Sequence, residues 1–243
     1  MIDCHSHFLP CIDDGAKSEQ ISEYMLAAAL EQGVTDIIST SHCYPHNEND
    51  IEEFLKKREE ALEKVASFRA PKIHRGCEVH LTCDLSEFSN IKKLCIEGTD
   101  YMLLEMPYDR WNPSAVDWVY SLTLQGIKPV LAHIERFFEN EDMFDELFSI
   151  GLYCQVNAVS FLEKAMKKHI KYLIKNNAIH IIGSDCHSMG MRKSRIARAY
   201  EAMDKAYGAA LGEFLTANGC ALINGKEMTR RCPEVKKGFL GIF

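Results

Sequence analysis

Nine residues of this 243-residue chain could do chemistry together: His5, His7, Asp14, His42, Glu78, Glu105, His133, Asp185 and His187. Each lies at or beside the end of a short run rich in Ile, Val and Leu, and such runs read as strands. A single histidine or glutamate after a strand is ordinarily hydrogen-bonded or solvated; a whole series at successive strand ends is a pattern. In His5-Ser6-His7 and Asp185-Cys186-His187, strand alternation sends residues i and i+2 to one face, so each pair aims two ligands at one point while Cys4 and Cys186 face away. Imidazole and carboxylate without thiolate suit Mn²⁺, Fe²⁺ or Zn²⁺. Nine ligands are too many for one ion. At three or four per ion, with a bridging carboxylate, they serve two or three divalent metals, a recurring arrangement for displacement at phosphorus. Three divalent ions would outweigh the carboxylates of Asp14, Glu78, Glu105 and Asp185 plus one bridging hydroxide by about one positive charge, which attracts phosphate.

Two arginines extend the pattern. Arg136 follows His133 in His-Ile-Glu-Arg, and Arg192 follows His187, so both sit on loops leaving the same end of the strands. A guanidinium grips phosphate oxygens in a bidentate fork. Cys186 and Arg192 also fit the Cys-x₅-Arg spacing of thiol-dependent phosphatases. That match reads as accidental, because Asp185 precedes the cysteine, Lys193 follows the arginine, and a neighbouring carboxylate raises a thiol pKa.

The elements that must position these residues alternate along the chain. Candidate strands end near His7, His42, Glu78, Glu105, His133, Asn157 and Asp185, and one β/α unit fits each interval. Ser18 opens and Gly33 closes the first intervening helix. Asn49, with Glu52 three residues on, predicts a capping box for the next. Asn112-Pro113 predicts N-cap and first turn of a helix that Gly126 ends, and Ile196, Tyr200, Met203 and Tyr207 line a last long helix ending at Gly208. Seven such units close a barrel, whose chemistry sits at the C-terminal strand ends.

Composition agrees. With 47% hydrophobic and 26% charged residues, 14 Gly and 7 Pro, the chain is an ordinary globular protein, read as one domain over residues 1–243. Its net charge of −7 disfavours general nucleic-acid binding. Its apolar runs are too short to insert in a membrane, and the start Met-Ile-Asp-Cys-His has no signal-peptide pattern, so a cytoplasmic location is expected. Ten scattered cysteines without a CxxC pair read as reduced thiols.

Met1-Ile-Asp-Cys-His-Ser-His7, Asp13-Asp14-Gly15, Ser39-Thr40-Ser41-His42, His133-Ile-Glu-Arg136, Gln155-Val-Asn157 and Ser184-Asp-Cys-His187 together resemble the PHP (polymerase and histidinol phosphatase) superfamily. Within it they are most similar to the bacterial capsule-type, manganese-dependent protein-tyrosine phosphatases, from residue 1 to about Asn224. The resemblance implies a distorted (β/α)₇ barrel and a three-metal site. The nine residues above match its ligands, and Arg136 and Arg192 match its phosphate-binding arginines. It further implies hydrolysis of phosphotyrosine on the tyrosine kinase that governs exopolysaccharide assembly, with hydroxide attacking phosphorus in line and no phospho-enzyme. The loop Pro107-Tyr108-Asp109-Arg110-Trp111 offers an aromatic wall for the substrate ring. A small-molecule phosphatase of the histidinol-phosphate type is the alternative enzyme, although His-Ile-Glu-Arg favours the tyrosine branch. A metal-binding module without turnover is the third reading, against which the complete ligand set stands.

Overall fold

The computed structural model describes residues 1–108, 112–137 and 144–235. The first half holds β1 (Ile2–Ser6), α1 (Glu19–Glu31), β2 (Asp36–Ser39), β3 (His42–Cys43), α2 (Glu48–Lys64), β4 (Lys72–Arg75) and β5 (Glu78–His80). Then come β6 (Tyr101–Glu105), α3 (Ala115–Leu124), β7 (Lys128–Leu131), α4 (Phe144–Ser149) and β8 (Tyr153–Asn157). The chain continues through α5 (Lys167–Lys175), β9 (Ile181–Gly183), α6 (Ile196–Tyr207) and α7 (Ala209–Ile223).

Every strand pairing in the described residues is parallel. One sheet has the order β1-β2-β4 and the other β3-β5-β6-β7-β8-β9. Because β2 leads into β3 and β4 into β5 after short interruptions, the nine segments behave as seven strands in chain order, as the sequence predicts. A parallel bridge between Ser6 and Cys186 joins the last strand to the first, with Asp185 N–H donating to His5 O at 2.8 Å and His7 N–H to Cys186 O at 2.9 Å. The result is a distorted (β/α)₇ barrel.

The strands are buried on both faces, as parallel strands under helices must be. In β6, Tyr101 and Leu103 point into an inner cluster with Val130, Tyr153 and Ile181, while Met102 and Leu104 face the outer core beneath the helices. Continuing that alternation upward, Glu105 follows Leu103, and Gln155 and Asn157 follow Tyr153. The inner file is therefore apolar at the bottom of the barrel and polar at its C-terminal end.

Helix ends follow local chemistry. Ser18 caps α1 by accepting from Ile21 N–H at 3.3 Å, and Gly33, Gly126 and Gly208 take positive φ after helices. The capping box of α2 is formed by Asn47 and Asp50, two residues before the predicted Asn49 and Glu52. Asn47 already satisfies the amides of Asn49 and Asp50, so the helix starts at the earlier cap. Asn112 does not cap α3 directly; its Oδ1 accepts from Ser114 N–H at 2.9 Å in a turn, and the helix begins at Ala115. The predicted last helix, α6, is followed by α7, which packs Gly219 onto Ile2 and Cys4. That helix is mostly small and apolar, so it lacks the polar and apolar stripes that mark an amphipathic helix. Among the described residues no helix is long and apolar enough to cross a membrane.

Candidate metal centre

All nine predicted ligands meet at the C-terminal mouth of the barrel. Their donor atoms fall into three groups, each compact enough to surround one ion: His7, Asp14, His42 and His187; His5, His7 and Asp185; and His42, Glu78 and Glu105. His133 joins them, its Nε2 2.8 Å from Glu78 Oε1 and 3.5 Å from Glu105 Oε1. His7 and His42 each belong to two groups.

The tautomers test whether a cation fits. His133 N–H donates to the Gln155 side-chain oxygen at 2.7 Å, and His5 Nδ1 lies 2.9 Å from that same atom, so Nδ1 carries the proton and Nε2 a lone pair. His7 Nδ1 donates to Asp13 Oδ2 at 2.8 Å, which in the neutral ring likewise leaves its Nε2 as a lone pair. These two Nε2 atoms stand 3.0 Å apart, and Glu78 Oε2 lies 3.2 Å and 3.3 Å from them. Three acceptors facing one another repel unless positive charge sits among them. Ligand atoms about 2.1 Å from a common ion stand roughly 3.0 to 3.4 Å apart at octahedral or tetrahedral angles. His187 Nε2 and His42 Nδ1 are buried without a hydrogen-bond partner, 3.2 Å from Asp14 Oδ1 and 3.1 Å from Glu78 Oε2 respectively. The donor set fits divalent metal.

The titration behaviour has the same cause. Burial opposes charge on His7, yet the Asp13 and Glu78 carboxylates overcome it and raise its pKa to about 10. Burial also opposes charge on Glu105, but hydrogen bonds from His133 and His80 hold it down to about 2. His187 is pushed down to about 4 by burial and by the neighbouring His7. The carboxylates around His7 therefore stabilise positive charge at its Nε2, whether a proton or a metal ion supplies it.

The backbone is shaped for the cluster. His133 and Asp185 adopt positive φ, 35° and 50°, a region non-glycine residues rarely occupy outside sites that need it. The strand reading of Asp185-Cys186-His187 is corrected here: β9 ends at Gly183, and a left-handed turn at Asp185, not strand alternation, aims Asp185 and His187 inward. Gly183 lies against His5 so closely that an added Cβ would stand 2.8 Å from His5 N and 3.0 Å from its Cα. Gly15 is equally confined, with His7 Cβ 2.7 Å from where its own Cβ would be.

Arg136 and Arg192 flank the cluster on the Asp185 side. Arg136 Nη2 donates to Asp185 Oδ2 at 2.5 Å and Arg192 Nη2 to Oδ1 at 3.0 Å, while Arg192 Nη1 reaches Asp14 Oδ2 at 3.3 Å. Tyr108 accepts from Arg136 Nη1 and stacks its ring on His133, with centroids 6.3 Å apart and planes 11° from parallel. Of the predicted aromatic wall, Asp109, Arg110 and Trp111 lie outside the described residues.

Sequence reasoning missed the residues that orient the ligands. Asp13 fixes His7 and also accepts from the N–H groups of Gly15 at 2.8 Å and His42 at 3.0 Å. Gln155 fixes His5 and His133, and Asn157 donates to Asp185 at 2.9 Å. Buried Glu135 anchors the turn carrying Arg136 by accepting from Ser160 Oγ at 2.9 Å and Asn157 N–H at 3.2 Å. His80 lies 3.4 Å from Glu105, on the same face of β5 as Glu78, and that i, i+2 spacing was the available signal. Cys186 is buried, and burial with the nearby Asp3 raises its thiol to about 12, the opposite of what a thiolate nucleophile needs.

A parallel β/α barrel with an imidazole and carboxylate cluster at its mouth and two arginines beside it defines a phosphate-handling metalloprotein. Residues 1–224 match the family described as "Capsular polysaccharide synthesis, CpsB/CapC", and the chain belongs to that family. Tyrosine-protein phosphatase CpsB of Streptococcus pneumoniae is 33% identical to it over 226 residues, covering 86% of this chain and 92% of that protein. Tyrosine-protein phosphatase YwqE of Bacillus subtilis (strain 168) is 30% identical over 254 aligned positions, gaps included, covering 98% of this chain and 97% of that protein. A crystal structure from work on YwqE and CpsB, described as unique metal-dependent tyrosine phosphatases, matches with a TM-score of 0.82 at 28% identity, over 98% of this chain and 100% of that one.

Proposed function

We propose that this chain is a metal-dependent protein-tyrosine phosphatase. His5, His7, Asp14, His42, Glu78, Glu105, His133, Asp185 and His187 hold two or three divalent ions, Mn²⁺ foremost and Fe²⁺ or Zn²⁺ as alternatives. The carrying observation is the convergence of the His5, His7 and His187 Nε2 atoms with the Glu78 and Asp14 carboxylates at distances that ligands of a common ion would take. The tyrosine phosphatases to which the chain is similar support the same reading.

When bound, the ions polarise the phosphoryl oxygens and lower the pKa of a water enough to make it a nucleophile at neutral pH. The chain's own groups do the rest. Arg136 and Arg192 exchange Asp185 for phosphoryl oxygens, which fixes the phosphorus for in-line attack. The Tyr108 ring, 68% exposed and held flat over His133, gives the substrate ring a face to lie against. The departing phenolate has a pKa of ~10, so it leaves with little help from a general acid. A thiol nucleophile plays no part.

The reading takes residues 1–243 as one enzyme unit acting in the cytoplasm, where its ten cysteines stay as the free thiols seen here. Its protein substrate is a tyrosine kinase of capsule or exopolysaccharide assembly. The test is kcat/KM for a phosphotyrosine peptide against histidinol phosphate with the metal-loaded protein. Preference for the peptide is expected; preference for histidinol phosphate would assign the site to a small-molecule phosphatase.

A further inference from the structure

A groove of about 570 Å³ leaves the ligand cluster between the loop after β1 and the first turns of α2. It opens onto the cluster at Asp14 and His42, and Ile12 and Phe54 give it an apolar floor. Tyr44 stands at the junction, 52% exposed, its ring 5.6 Å from that of His42 and edge-on to His80 at 5.3 Å. Removing phosphate from a free aryl ester requires none of this space. A substrate with chain on either side of its phosphotyrosine must lay that chain somewhere on the rim, and the groove is continuous with the site.

The charges along the groove are not equivalent. Four carboxylates and one ammonium, that of Lys57, line it; away from the ligand cluster, where bound cations would offset Asp13 and Asp14, Asp50 and Glu53 outweigh Lys57 by one charge. Asp13 and Asp14 belong to the ligand cluster. Asp50 is committed to the α2 cap, accepting from the N–H groups of His46 at 2.8 Å and Asn47 at 3.1 Å. Glu53, one turn further along the same helix face, is exposed and has neither hydrogen bond nor ion pair among the described residues. Of the other glutamates of α2, Glu48 is engaged with Ser89, Glu52 with Asn90, Glu59 with Arg75 and Glu60 with Lys56, and Glu63 does not line the groove. Lys57 does not close an ion pair with Glu53 despite its i+4 position, which leaves the carboxylate facing the groove open to a ligand.

We propose that this groove receives the peptide segment flanking the phosphotyrosine, and that Glu53 selects a lysine or arginine side chain in that segment. The inference rests on the phosphatase reading above and adds the substrate class: phosphotyrosine in a basic stretch of polypeptide.

The test uses the Mn²⁺-loaded full chain and two phosphotyrosine peptides that differ only in carrying Lys or Glu on both sides of the phosphotyrosine. An exposed charge pair changes kcat/KM about two- to fivefold, so the Lys peptide should be favoured by roughly threefold at low salt. That preference should shrink at high ionic strength. Glu53→Gln should bring the ratio toward one and Glu53→Lys should invert it; the position is exposed, so both variants keep the fold. Equal kcat/KM for the two peptides in the wild type, or a ratio unmoved in Glu53→Lys, overturns the assignment of the groove while leaving the phosphatase reading intact. If the metal-loaded protein hydrolyses neither peptide, the phosphatase reading itself fails and the groove assignment with it.

Discussion

Gly183→Ala adds a single carbon, and the structure says where it goes. The new Cβ would lie 2.8 Å from His5 N and 3.0 Å from His5 Cα, with His5 Cβ closer still. Ordinary carbon contacts are about 3.5 to 4.0 Å, so β1 and β9 must separate by roughly 0.5 to 1 Å. Overpacking of this kind costs about 1 to 3 kcal/mol, which for a chain of this length lowers Tm by roughly 2 to 10 °C. The variant stays folded at 25 °C. His5, however, shifts against His7 and Glu78, whose spacing of 3.0 to 3.3 Å makes the site. A displacement near 1 Å costs about 100-fold in rate, so kcat/KM on a phosphotyrosine peptide should fall by that order and metal content should drop with it. Gly212→Ala on α7 is the control: its Cβ meets only the Tyr200 ring, at 3.2 Å, and metal content and activity should hold. A Gly183→Ala protein with wild-type metal content and kcat/KM within about twofold would refute the claim that this contact sets the ligand geometry.

Arg136→Ala should keep its full metal complement and lose about 100-fold in kcat/KM, the scale of losing one charged donor to the transition state; loss of metal instead would make the arginine a support for Asp185. Cys186→Ser should retain most activity, and inactivity in a variant that still holds its metals would reinstate a thiol mechanism. His180 supplies a pH test away from the site, because burial, with Arg230 nearby, pushes its pKa down to about 3 while its Nδ1 accepts from Cys154 N–H. The unfolded chain takes up this proton at about pH 6.5, so between pH 6.5 and 3 it binds more protons than the folded one and stability falls as pH falls. At pH 5 the loss is about 2 kcal/mol. His180→Gln keeps an acceptor without the titration, so the stability gap between wild type and variant should narrow by that amount from pH 7 to 5 in denaturant unfolding; a gap constant with pH would contradict the assignment.

The cluster at the barrel mouth was legible because metal chemistry restricts residue types and strand ends restrict positions. His5 and His7 follow from alternation alone. Asp185 and His187 reach the same point by a left-handed turn that no alternation describes, so their convergence was expected for a reason that holds for only one pair. Asp13 and Asp14 are indistinguishable as neighbouring carboxylates in sequence; only the fold turns one to the back of His7 and the other to the mouth. Gln155, Asn157 and Glu135 act through bonds to residues far away in the chain, and neither a neutral amide nor a lone glutamate gives a hint of that. The barrel was readable from its alternating apolar runs, whereas α7 was not, since a helix packed by Leu211, Leu215, Gly219 and Leu222 against the barrel end carries little amphipathic signal.

The central claim is that the lone pairs gathered around Glu78 exist to hold metal, and that the metal makes the phosphatase. Elemental analysis of the chelator-treated and Mn²⁺-reconstituted protein, paired with phosphotyrosine-peptide turnover of the same two samples, tests it directly. The account predicts two or three ions per chain with activity in the reconstituted sample and neither in the treated one. Full turnover by protein shown to be free of metal would contradict it.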